Sequence, residues 1–447
     1  MRIGFAKKDI TPRVGVEMAG FGPFLNRRSM AIRDRLWSRA MAVEKGGKTW
    51  VLISNDLINL RLEQTHRIRE YVCAGSGLPP EAVMVHCIHT HSGPATSLMH
   101  GWGQPDLPYL ETLPRKIAAS ALAALANLQE ATLHHAEVPC EGIGLNREYD
   151  KDAPPLEEVL EETWRPAHPE LTDTTCHVLV ARAADDPGKV LGFASYFGCH
   201  PVVCCQQTHY LHGDYAGVAT NLLEREHLGS VGLFLQGAQG DVNSCVVHKP
   251  EPESLLALDV IAGRYARAVR KGITEAKQIE VDQIGCALHE VTFTRRLLTR
   301  EEMVARLSEQ EAILHAPGAS DEAFEVRMAM VFAEAYRKLI RELDLGENLQ
   351  PPTEMQGLRL GPVSLLGGPF ETFQAIKNDV RASAQAPIPL VLGLTNDSLG
   401  YAPDKTVAAR GGYAADNVPL MLGSLAFARA HEELVRELLA LDAELNG

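Results

Sequence analysis

The chain has 447 residues, of which 43 are Lys or Arg and 57 are Asp or Glu, so its formal net charge is −14. Hydrophobic residues make up 45% of the sequence and charged residues 22%, proportions that are typical of globular proteins and exclude a disordered or fibrous chain. The acidic balance argues against a nucleic-acid-binding protein and against stable association with anionic membranes, because both need a basic surface.

Neither end of the sequence looks like a targeting segment. The opening stretch MRIGFAKKDITPR lacks the apolar region of a secretory signal, and no run approaches the ~18 apolar residues of a transmembrane helix. The nine cysteines form an odd set without a CxxC pair, which is typical of reduced thiols. We therefore expect a cytoplasmic protein, in which the adjacent Cys204 and Cys205 are buried strand or loop residues.

Predicted strands and helices alternate along the chain. Apolar, β-branched runs predict strands at 50–54, 83–88, 190–197, 231–235, 363–366 and 389–394. Helical patterns occupy 61–72, 113–128, 257–272, a pair within 299–346 that breaks near 315–319, and a last segment from about 418 to 445. The alternation predicts an α/β fold of layered mixed or parallel sheets flanked by helices. We expect one large domain over 1–447, with a lid or surface insertion at 150–170 and a helical excursion at 299–346.

The first group of chemically versatile residues is VHCIHTHSGP at 85–94. Side chains alternate along a strand, so His89 and His91 are expected on one face and His86 on the other. Two imidazoles on one face at the end of a strand are a natural start for a zinc site. A pair of structural, hydrogen-bonding histidines explains an isolated HxH about equally well.

A single histidine, His200, follows the predicted strand at 190–197 and precedes a proline. Such a residue is more often structural, but a catalytic zinc site usually takes one ligand from a remote segment, and His200 is a candidate for it. Asp214 either orients a metal-bound histidine or caps a helix. Cys204 and Cys205 also lie near His200, and thiolates are strong zinc ligands, although this is the lesser alternative.

Two more polar residues follow predicted strands. Glu371 is either a charge in the first turn of a helix or a functional carboxylate. Tyr401 lies in a loop, where a tyrosine usually packs and forms a hydrogen bond. Taken one at a time, these residues are explained almost as well by structural roles as by functional ones.

Taken together and in this order, the motifs resemble those of the neutral/alkaline (non-lysosomal) ceramidase family. The most specific is HTHSGP at 89–94, and the others are DITP at 9–12, RLWSRA at 35–40, SND at 54–56, GDYAG at 213–217, QGDV at 239–242, PFET at 369–372 and NDSLGY at 396–401. The resemblance is colinear over nearly all 447 residues. It corresponds to the catalytic N-terminal domain of the family, without the family's C-terminal immunoglobulin-like domain.

The resemblance implies a zinc-dependent enzyme with one Zn²⁺ per chain that hydrolyses an amide bond with metal-activated water. The zinc ligands of the family fall on His89, His200, Glu371 and Tyr401. Its remaining active-site residues fall on His91, Arg147 and Tyr413. We assign His91 to proton transfer or oxyanion stabilisation, and Arg147 and Tyr413 to binding the carbonyl oxygen or substrate hydroxyls. A surface ion pair for Arg147 and simple packing for Tyr413 are the structural alternatives.

The sequence departs from the family pattern around the proposed ligands rather than at them. Four additional polar residues near the motifs would cost free energy beside a dry acyl tunnel unless they were paired; they are His100, His209, His212 and Tyr215. We therefore expect a small-molecule substrate, a small polar N-acyl or cyclic amide rather than ceramide.

Two other functions stay open. A zinc hydrolase of an ester or lactone would use the same attack by metal-bound water. A non-catalytic binding protein with a structural zinc would be favoured by a closed shell of four ligands. An amidohydrolase barrel fits less well, because its HxH lies in the first strand, whereas here HxH appears only after two strand-like segments.

Overall fold

Two β-sheets packed face to face form the centre of the protein, and the computed structural model describes residues 1–150 and 154–447. The strands, in chain order, are β1 (Arg2–Asp9), β2 (Ala31–Ile32), β3 (Trp37–Lys45), β4 (Lys48–Asn55), β5 (Val83–Cys87), β6 (Gln129–Pro139), β7 (Gly144–Asn146), β8 (Thr175–Ala183), β9 (Val190–Phe197), β10 (Tyr210–Leu211), β11 (Val231–Gln236), β12 (Val242–Ser244), β13 (Lys277–Ile279), β14 (Ile284–Val291), β15 (Thr353–Leu360), β16 (Val363–Gly367), β17 (Glu371–Thr372), β18 (Ile388–Leu392) and β19 (Tyr401–Ala402).

Helices cover the outer faces of the sheets. They are α1 (Leu62–Ser76), α2 (Leu107–Ala126), α3 (Leu156–Val159), α4 (Asp214–Glu226), α5 (Glu251–Glu275), α6 (Arg300–Leu314), α7 (Phe324–Asp344), α8 (Gln374–Ser383), α9 (Lys405–Arg410), α10 (Val418–Met421) and α11 (Ala430–Asn446). Short 3₁₀ turns lie at Pro80–Ala82 and Pro169–Leu171, and a π-helical turn lies at Tyr413–Asn417. No helix in the described part of the chain is long and apolar enough to cross a membrane.

The large sheet has nine strands in the order β11-β9-β8-β6-β1-β3-β4-β5, with β13 paired to β6. Its strands are antiparallel except for the pairs β9/β11 and β4/β5. The small sheet has the order β14-β15-β16-β18, and only β16/β18 is parallel. Both sheets are therefore mixed, which confirms the predicted fold class.

The core is divided among the layers. Between the two sheets, Leu52 and Leu133 of the large sheet belong to the same buried cluster as Leu358 and Leu365 of the small one. The opposite face of the large sheet packs on α4 and α5 at one end and on α1 and α2 at the other. Helices α8 and α11 cover the outer face of the small sheet. The order of layers is thus helix, sheet, sheet, helix.

All six strands predicted from apolar runs are present, with ends shifted by a few residues. The prediction missed β6 and β14 because these antiparallel strands are partly exposed and have no continuous apolar run. It also missed β1, β3, β8 and β15, which are largely buried but include polar or charged residues. The single helix predicted from about 418 to 445 is wrong: the chain leaves α10, passes Gly423 at φ 68°, and begins α11 only at Ala430. A glycine in the left-handed region is a common helix terminator.

The two predicted excursions have different outcomes. Helices α6 and α7 form the expected helical pair on either side of residues 315–323. Of the predicted lid at 150–170, residues 151–153 lie outside the described part of the chain. The rest is held against α5, because Arg264 donates hydrogen bonds to the carbonyls of Val159, Leu160 and Glu161. A lid function for this segment stays a prediction.

One asparagine connects the two sheets at the edge where many strands end. Asn396 follows β18 and exchanges hydrogen bonds with Val85 of β5, its backbone N–H donating at 2.8 Å and its side-chain oxygen accepting at 3.1 Å. Its amide nitrogen donates to Gln356 of β15 at 2.8 Å. Asn396 has φ 63°, a left-handed conformation that asparagine tolerates better than most residues. The loop after β18 is therefore fixed to both sheets.

A partly buried ion pair fixes α8 to the segment before β8. Lys377 of α8 contacts the Asp173 carboxylate, which also accepts hydrogen bonds from Arg381 at 3.2 Å and from the backbone of Thr175 at 2.8 Å. Burial raises the pKa of Asp173, but the charge and hydrogen bond of Lys377 outweigh burial and lower the pKa to about 2. Lys377 itself is buried, so loss of its partner would leave a charge with little access to water.

Asp173→Asn is therefore expected to destabilise the protein by about 1–2 kcal/mol at pH 7. Because the pKa of Asp173 is lower in the folded chain than in the unfolded one, its stabilisation is present above about pH 4 and is lost as the pH falls through about 2. Chemical denaturation at a series of pH values should show the wild-type and variant stabilities converging in acid. Asp344→Asn, which removes the exposed partner of Arg300, is the control and should change stability little. A constant difference at all pH values would contradict the assignment.

Candidate functional site

The HTH motif lies just beyond β5 rather than on it. The strand ends at Cys87, and His89 has φ 71°, so the expected alternation of strand side chains does not apply there. The two imidazoles nevertheless converge, with their Nε2 atoms 3.2 Å apart. His89 Nδ1 lies 2.8 Å from the carbonyl oxygen of Ile58, to which it donates a hydrogen bond. His86 points away from this pair, and its Nε2 accepts the backbone N–H of Gln236 at 2.9 Å.

His200 and Glu371 complete the centre of the cluster. His200 follows β9, and its Nδ1 lies 2.6 Å from the carbonyl oxygen of Gln239. Its Nε2 lies 2.9 Å from Glu371 Oε2, and His89 Nε2 lies 3.2 Å from the same oxygen. One carboxylate oxygen thus contacts two imidazoles that come from distant parts of the chain.

The remaining predicted residues surround this carboxylate. Tyr401 stands directly across from Glu371 in the parallel pair β17/β19, and its ring centroid is 6.3 Å from that of His200. The guanidinium of Arg147 lies 4.9 Å from the Tyr401 ring centroid and 6.0 Å from that of Tyr413. Arg147 is held in place by a hydrogen bond of 2.6 Å from its Nη2 to the carbonyl of Gly240. All seven residues named from the sequence therefore lie in one cluster.

The donor set fits a cation. When Nδ1 of a neutral histidine donates to a carbonyl, Nε2 carries a lone pair, so His89 and His200 both direct lone pairs at the Glu371 carboxylate. Such an arrangement is repulsive unless a proton or a metal ion lies between the groups. Ligand atoms about 2.0–2.2 Å from a tetrahedral zinc are roughly 3.3 Å apart, close to the separations found here. Backbone carbonyls are also the usual partners of the second nitrogen in metal-binding histidines.

Burial and mutual charge shift the pKa values in the cluster. Burial lowers the pKa of His200 to about 4, partly opposed by the hydrogen bond to Glu371. Burial also lowers the pKa of His91, and the neighbouring His89 and His200 lower it further. Burial raises the pKa of Glu371, but the two histidines outweigh burial and hold its pKa well below the usual value. The imidazoles of His91 and His200 are therefore neutral at physiological pH and Glu371 is ionised, which are the forms that bind metal.

His91 differs from the other two histidines in one respect. No described residue accepts or donates a hydrogen bond at its buried Nδ1, which faces Gly20. Its tautomer is therefore not fixed by a carbonyl, as those of His89 and His200 are. A histidine that can hold its proton on either nitrogen is suited to proton transfer.

A cleft of about 730 Å³ opens beside the cluster. His91, Arg147, His200, Tyr401 and Tyr413 line its inner end. Its outer wall comes from α6 and α7 and is largely apolar. Two polar side chains, Gln310 and Glu325, lie among the apolar ones, which are Ile313, Phe324, Met328, Ala329 and Phe332. The helical excursion recognised in the sequence therefore forms part of the candidate site, a role that its charged composition did not predict.

The four polar residues cited against an apolar substrate lie elsewhere. Among the residues that the structure describes, His100, His209, His212 and Tyr215 do not line this cleft or the smaller cavity beside it. Tyr215, for example, is fully buried and donates a hydrogen bond of 2.8 Å to the carbonyl of Cys199. The premise for a polar substrate pocket is therefore not met.

Asp214 supports the site through the backbone. Its carboxylate accepts hydrogen bonds from the N–H groups of Val203, Cys204 and Tyr215 at 3.3, 3.2 and 2.8 Å. It therefore fixes the loop that follows His200. The first of its two predicted roles, orienting a metal-bound histidine, would require contact with the His200 imidazole, which Asp214 does not make. Among the described residues, Cys204 forms a cluster of possible metal ligands with His212 and Asp214, separate from the cluster that contains His200.

Other motifs form the scaffold behind the site. Arg39 of RLWSRA and Asp56 of SND form a buried ion pair, with Nη1 2.8 and 2.7 Å from the two carboxylate oxygens. Glu224 of α4 lies 3.2 Å from Nε of the same arginine. These residues lie away from the cleft, and they connect β3, the end of β4 and α4.

Comparison with solved structures identifies the fold. The crystal structure of neutral ceramidase from Pseudomonas aeruginosa superposes with a TM-score of 0.75 at 20% sequence identity, over 99% of this chain and 75% of that one. A ceramidase complexed with C2 also matches with a TM-score of 0.75, at 18% identity and over the same shares of the two chains.

Residues 1–249 match the family model described as neutral/alkaline non-lysosomal ceramidase, N-terminal. The chain belongs to the neutral/alkaline non-lysosomal ceramidase family, as the sequence motifs indicated. Membership in this family supports hydrolysis of an amide bond as the class of reaction.

The contact between Gly20 and His91 provides a test of the cluster. A Cβ at Gly20 would lie 2.5 Å from Nδ1 of His91, so Gly20→Ala is expected to displace the imidazole and lower amide turnover by about 100-fold. Gly15→Ala is the matched control, since Gly15 has nearly the same conformation (φ 97° against 101°) but its Cβ would approach nothing closer than 3.9 Å. Rates and folding stability of both variants should be measured. Equal losses of activity would show that backbone strain, not His91, is responsible.

Proposed function

We propose that this protein is a zinc-dependent hydrolase that cleaves a non-peptide amide bond. The observation that carries the proposal is the Glu371 Oε2 atom, which lies within 3.2 Å of Nε2 of both His89 and His200. These residues, with Tyr401 beside Glu371, would hold one Zn²⁺ per chain. Zinc held there would supply a Lewis acid that polarises the carbonyl and lowers the pKa of water.

His91 is assigned to proton transfer. Its Nε2 faces the ligand cluster, and its Nδ1 has no described partner. Within the proposed mechanism it takes a proton from the attacking water and returns it to the leaving nitrogen of the amide. A ligand role for His91 is disfavoured because it lacks the carbonyl partner that fixes both His89 and His200.

Arg147 and Tyr413 are assigned to the substrate carbonyl. Arg147 is anchored to the Gly240 carbonyl and lines the cleft with its cationic group near both tyrosines. Burial lowers the pKa of this arginine, but the neighbouring Tyr401 and Tyr413 outweigh burial and raise it, so the group is always charged. A fixed positive charge and a phenol at the inner end of the cleft can bind the oxygen that gains negative charge during the attack.

The open cleft bears on the alternatives. A structural zinc is normally enclosed by four protein ligands away from solvent, whereas His200 and Tyr401 line a cleft large enough for a substrate. This supports catalysis over a binding protein with a structural metal. An ester or lactone substrate stays an alternative, because the same residues would serve attack on either carbonyl.

The apolar wall of the cleft favours a particular kind of amide. Ile313, Phe324 and Met328 border the cleft, and Phe324 exposes 68% of its surface. We expected a small polar N-acyl or cyclic amide from the sequence, but the lining instead supports an amide that carries an apolar chain or ring on one side. Burial of such a group contributes about 25 cal/mol per Å² of apolar surface removed from water.

Zinc content and amide turnover should be lost together in His89→Ala and His200→Ala. Each change removes a proposed ligand, so the prediction is one zinc equivalent at this site in wild type that both variants lose, and at least about 1,000-fold slower turnover. His209→Ala, which alters a histidine outside the cluster, is the control and should keep both. Metal analysis and rates on N-acyl amides of increasing chain length, with matched esters, make the measurement.

Three outcomes would contradict parts of this proposal. Wild-type protein without a zinc equivalent that depends on His89 and His200 would exclude the zinc hydrolase. Turnover of esters alone would reassign the bond, and rates that fall with acyl chain length would exclude an apolar group on the substrate.

Replacing either tyrosine by phenylalanine should separate the two tyrosine roles. Tyr401→Phe removes a proposed ligand and is expected to weaken zinc binding by at least about tenfold. Tyr413→Phe removes a hydroxyl from a residue that is 52% exposed, so zinc binding should be unchanged while kcat falls by about 10- to 100-fold. Zinc titrations and steady-state kinetics measure the two effects. Unchanged zinc affinity in Tyr401→Phe would show that Tyr401 is not a ligand, so that the protein ligands would be His89, His200 and Glu371.

A further inference from the structure

Three side chains of the types that bind metal ions lie together on the large sheet, away from the cleft. His135 and Glu137 are two residues apart on β6, so their side chains are on the same face. In the antiparallel pairing of β6 with β8, Glu137 stands directly opposite His177. The three side chains therefore share one face of two adjacent strands.

This face is otherwise part of the core between the sheets. On this face Leu133 precedes His135 along β6, and Leu179 stands opposite His135 on β8. Both leucines are buried among apolar side chains. Towards the end of the strands the apolar pattern stops and the three polar groups begin. His177 is buried, His135 is partly exposed and Glu137 is exposed, so an ion could enter from solvent.

The ligand atoms are already close enough to share an ion. His135 Nε2 lies 3.2 Å from His177 Nδ1, and the Glu137 carboxylate lies 3.6 Å from the same atom. One atom from each of the three side chains lies within 4.8 Å of the other two. Tetrahedral zinc with two imidazoles and a carboxylate requires separations of roughly 3.3 Å, so only small side-chain movements are needed.

We propose that His135, Glu137 and His177 form a second metal site, which binds a divalent transition metal such as Zn²⁺ and joins β6 to β8. Two imidazoles and one carboxylate select this class of ion over Ca²⁺ or Mg²⁺, which prefer oxygen ligands. The site has a structural function: in the described structure none of its three residues lines the catalytic cleft.

The surroundings are compatible with an added positive charge. Burial lowers the pKa values of His135 and His177, the latter to about 3, so both imidazoles are neutral and have lone pairs available at pH 7. The nearby cations Lys377 and Arg381 both contact Asp173, which offsets part of their charge. The ring of Tyr196 closes one side of the group, with its centroid 5.7 Å from that of His177.

Metal analysis of the full-length protein in the His200→Ala background tests the proposal without the catalytic site. Protein stripped with chelator and dialysed against micromolar Zn²⁺ should retain one equivalent per chain. Adding His135→Ala or His177→Ala should remove that equivalent, and Zn²⁺ should raise the melting temperature only when the three residues are intact. Glu137→Gln, an exposed change of equal size, should weaken zinc binding by at least about tenfold with the fold retained.

His134→Ala is the matched control, because this neighbouring histidine lies on the opposite face of β6 and is bonded to Thr132. It should bind zinc as the His200→Ala parent does. The proposal is overturned if the His200→Ala protein binds no zinc, or if the His134 and His135 variants bind it equally, which would indicate a hydrogen-bonded histidine pair. These outcomes do not depend on the catalytic zinc. That zinc is tested separately, as the additional equivalent that wild type binds and His89→Ala does not.

Discussion

The candidate site depends on one electrostatic constraint. Glu371 places a single carboxylate oxygen against the Nε2 atoms of His89 and His200, while the other nitrogen of each ring is bonded to a backbone carbonyl. The carbonyls fix the tautomers, and the tautomers direct two lone pairs at an anion. Three electron-rich groups in one small buried volume are stable only with a positive charge among them. The surrounding protein keeps these groups together, and this is the strongest physical reason to place a metal ion there.

The fold provides the rigidity that this arrangement requires. Each group follows the end of a strand, and Asn396 connects those ends by bonding to β5 and β15 at once. The short pair β17/β19 places Tyr401 beside Glu371, and Asp214 holds the loop after His200 through three backbone N–H groups. His89 is kept at φ 71°, a conformation that costs about 1–3 kcal/mol and persists only where neighbouring contacts enforce it. The packing and hydrogen bonds of the surrounding fold offset this conformational strain.

The layered fold and the residues of the cluster were both predicted from the sequence, but from different features of it. Strands buried on both faces, such as β9, were visible as apolar runs, whereas β6 was missed because its exposed and buried residues do not form one. His89 and His91 were named for the wrong geometric reason, since the strand ends before them. A ligand role for Tyr401 was suggested only by the resemblance to a family, because its position beside Glu371 follows from a two-residue strand pair that no sequence pattern predicts. The backbone carbonyls of Ile58 and Gln239, which accept hydrogen bonds from the two imidazoles, could not be predicted, because their side chains take no part in these bonds.

The outer wall of the cleft shows why local sequence is a weak guide to which side chains line it. Helices α6 and α7 look like a charged surface pair, and most of α6 is exposed. Yet the ends that face each other, near Ile313 and Phe324, give the cleft its apolar wall. Conversely, Tyr215 lies within the GDYAG motif and His212 directly precedes it, but both are buried behind the site. There His212 Nδ1 accepts the N–H of Asp214, and the Tyr215 hydroxyl donates to the Cys199 carbonyl. Which polar groups line the cleft is decided by how distant segments pack, so the residues of the candidate site can be predicted from motifs, whereas the lining of the cleft cannot.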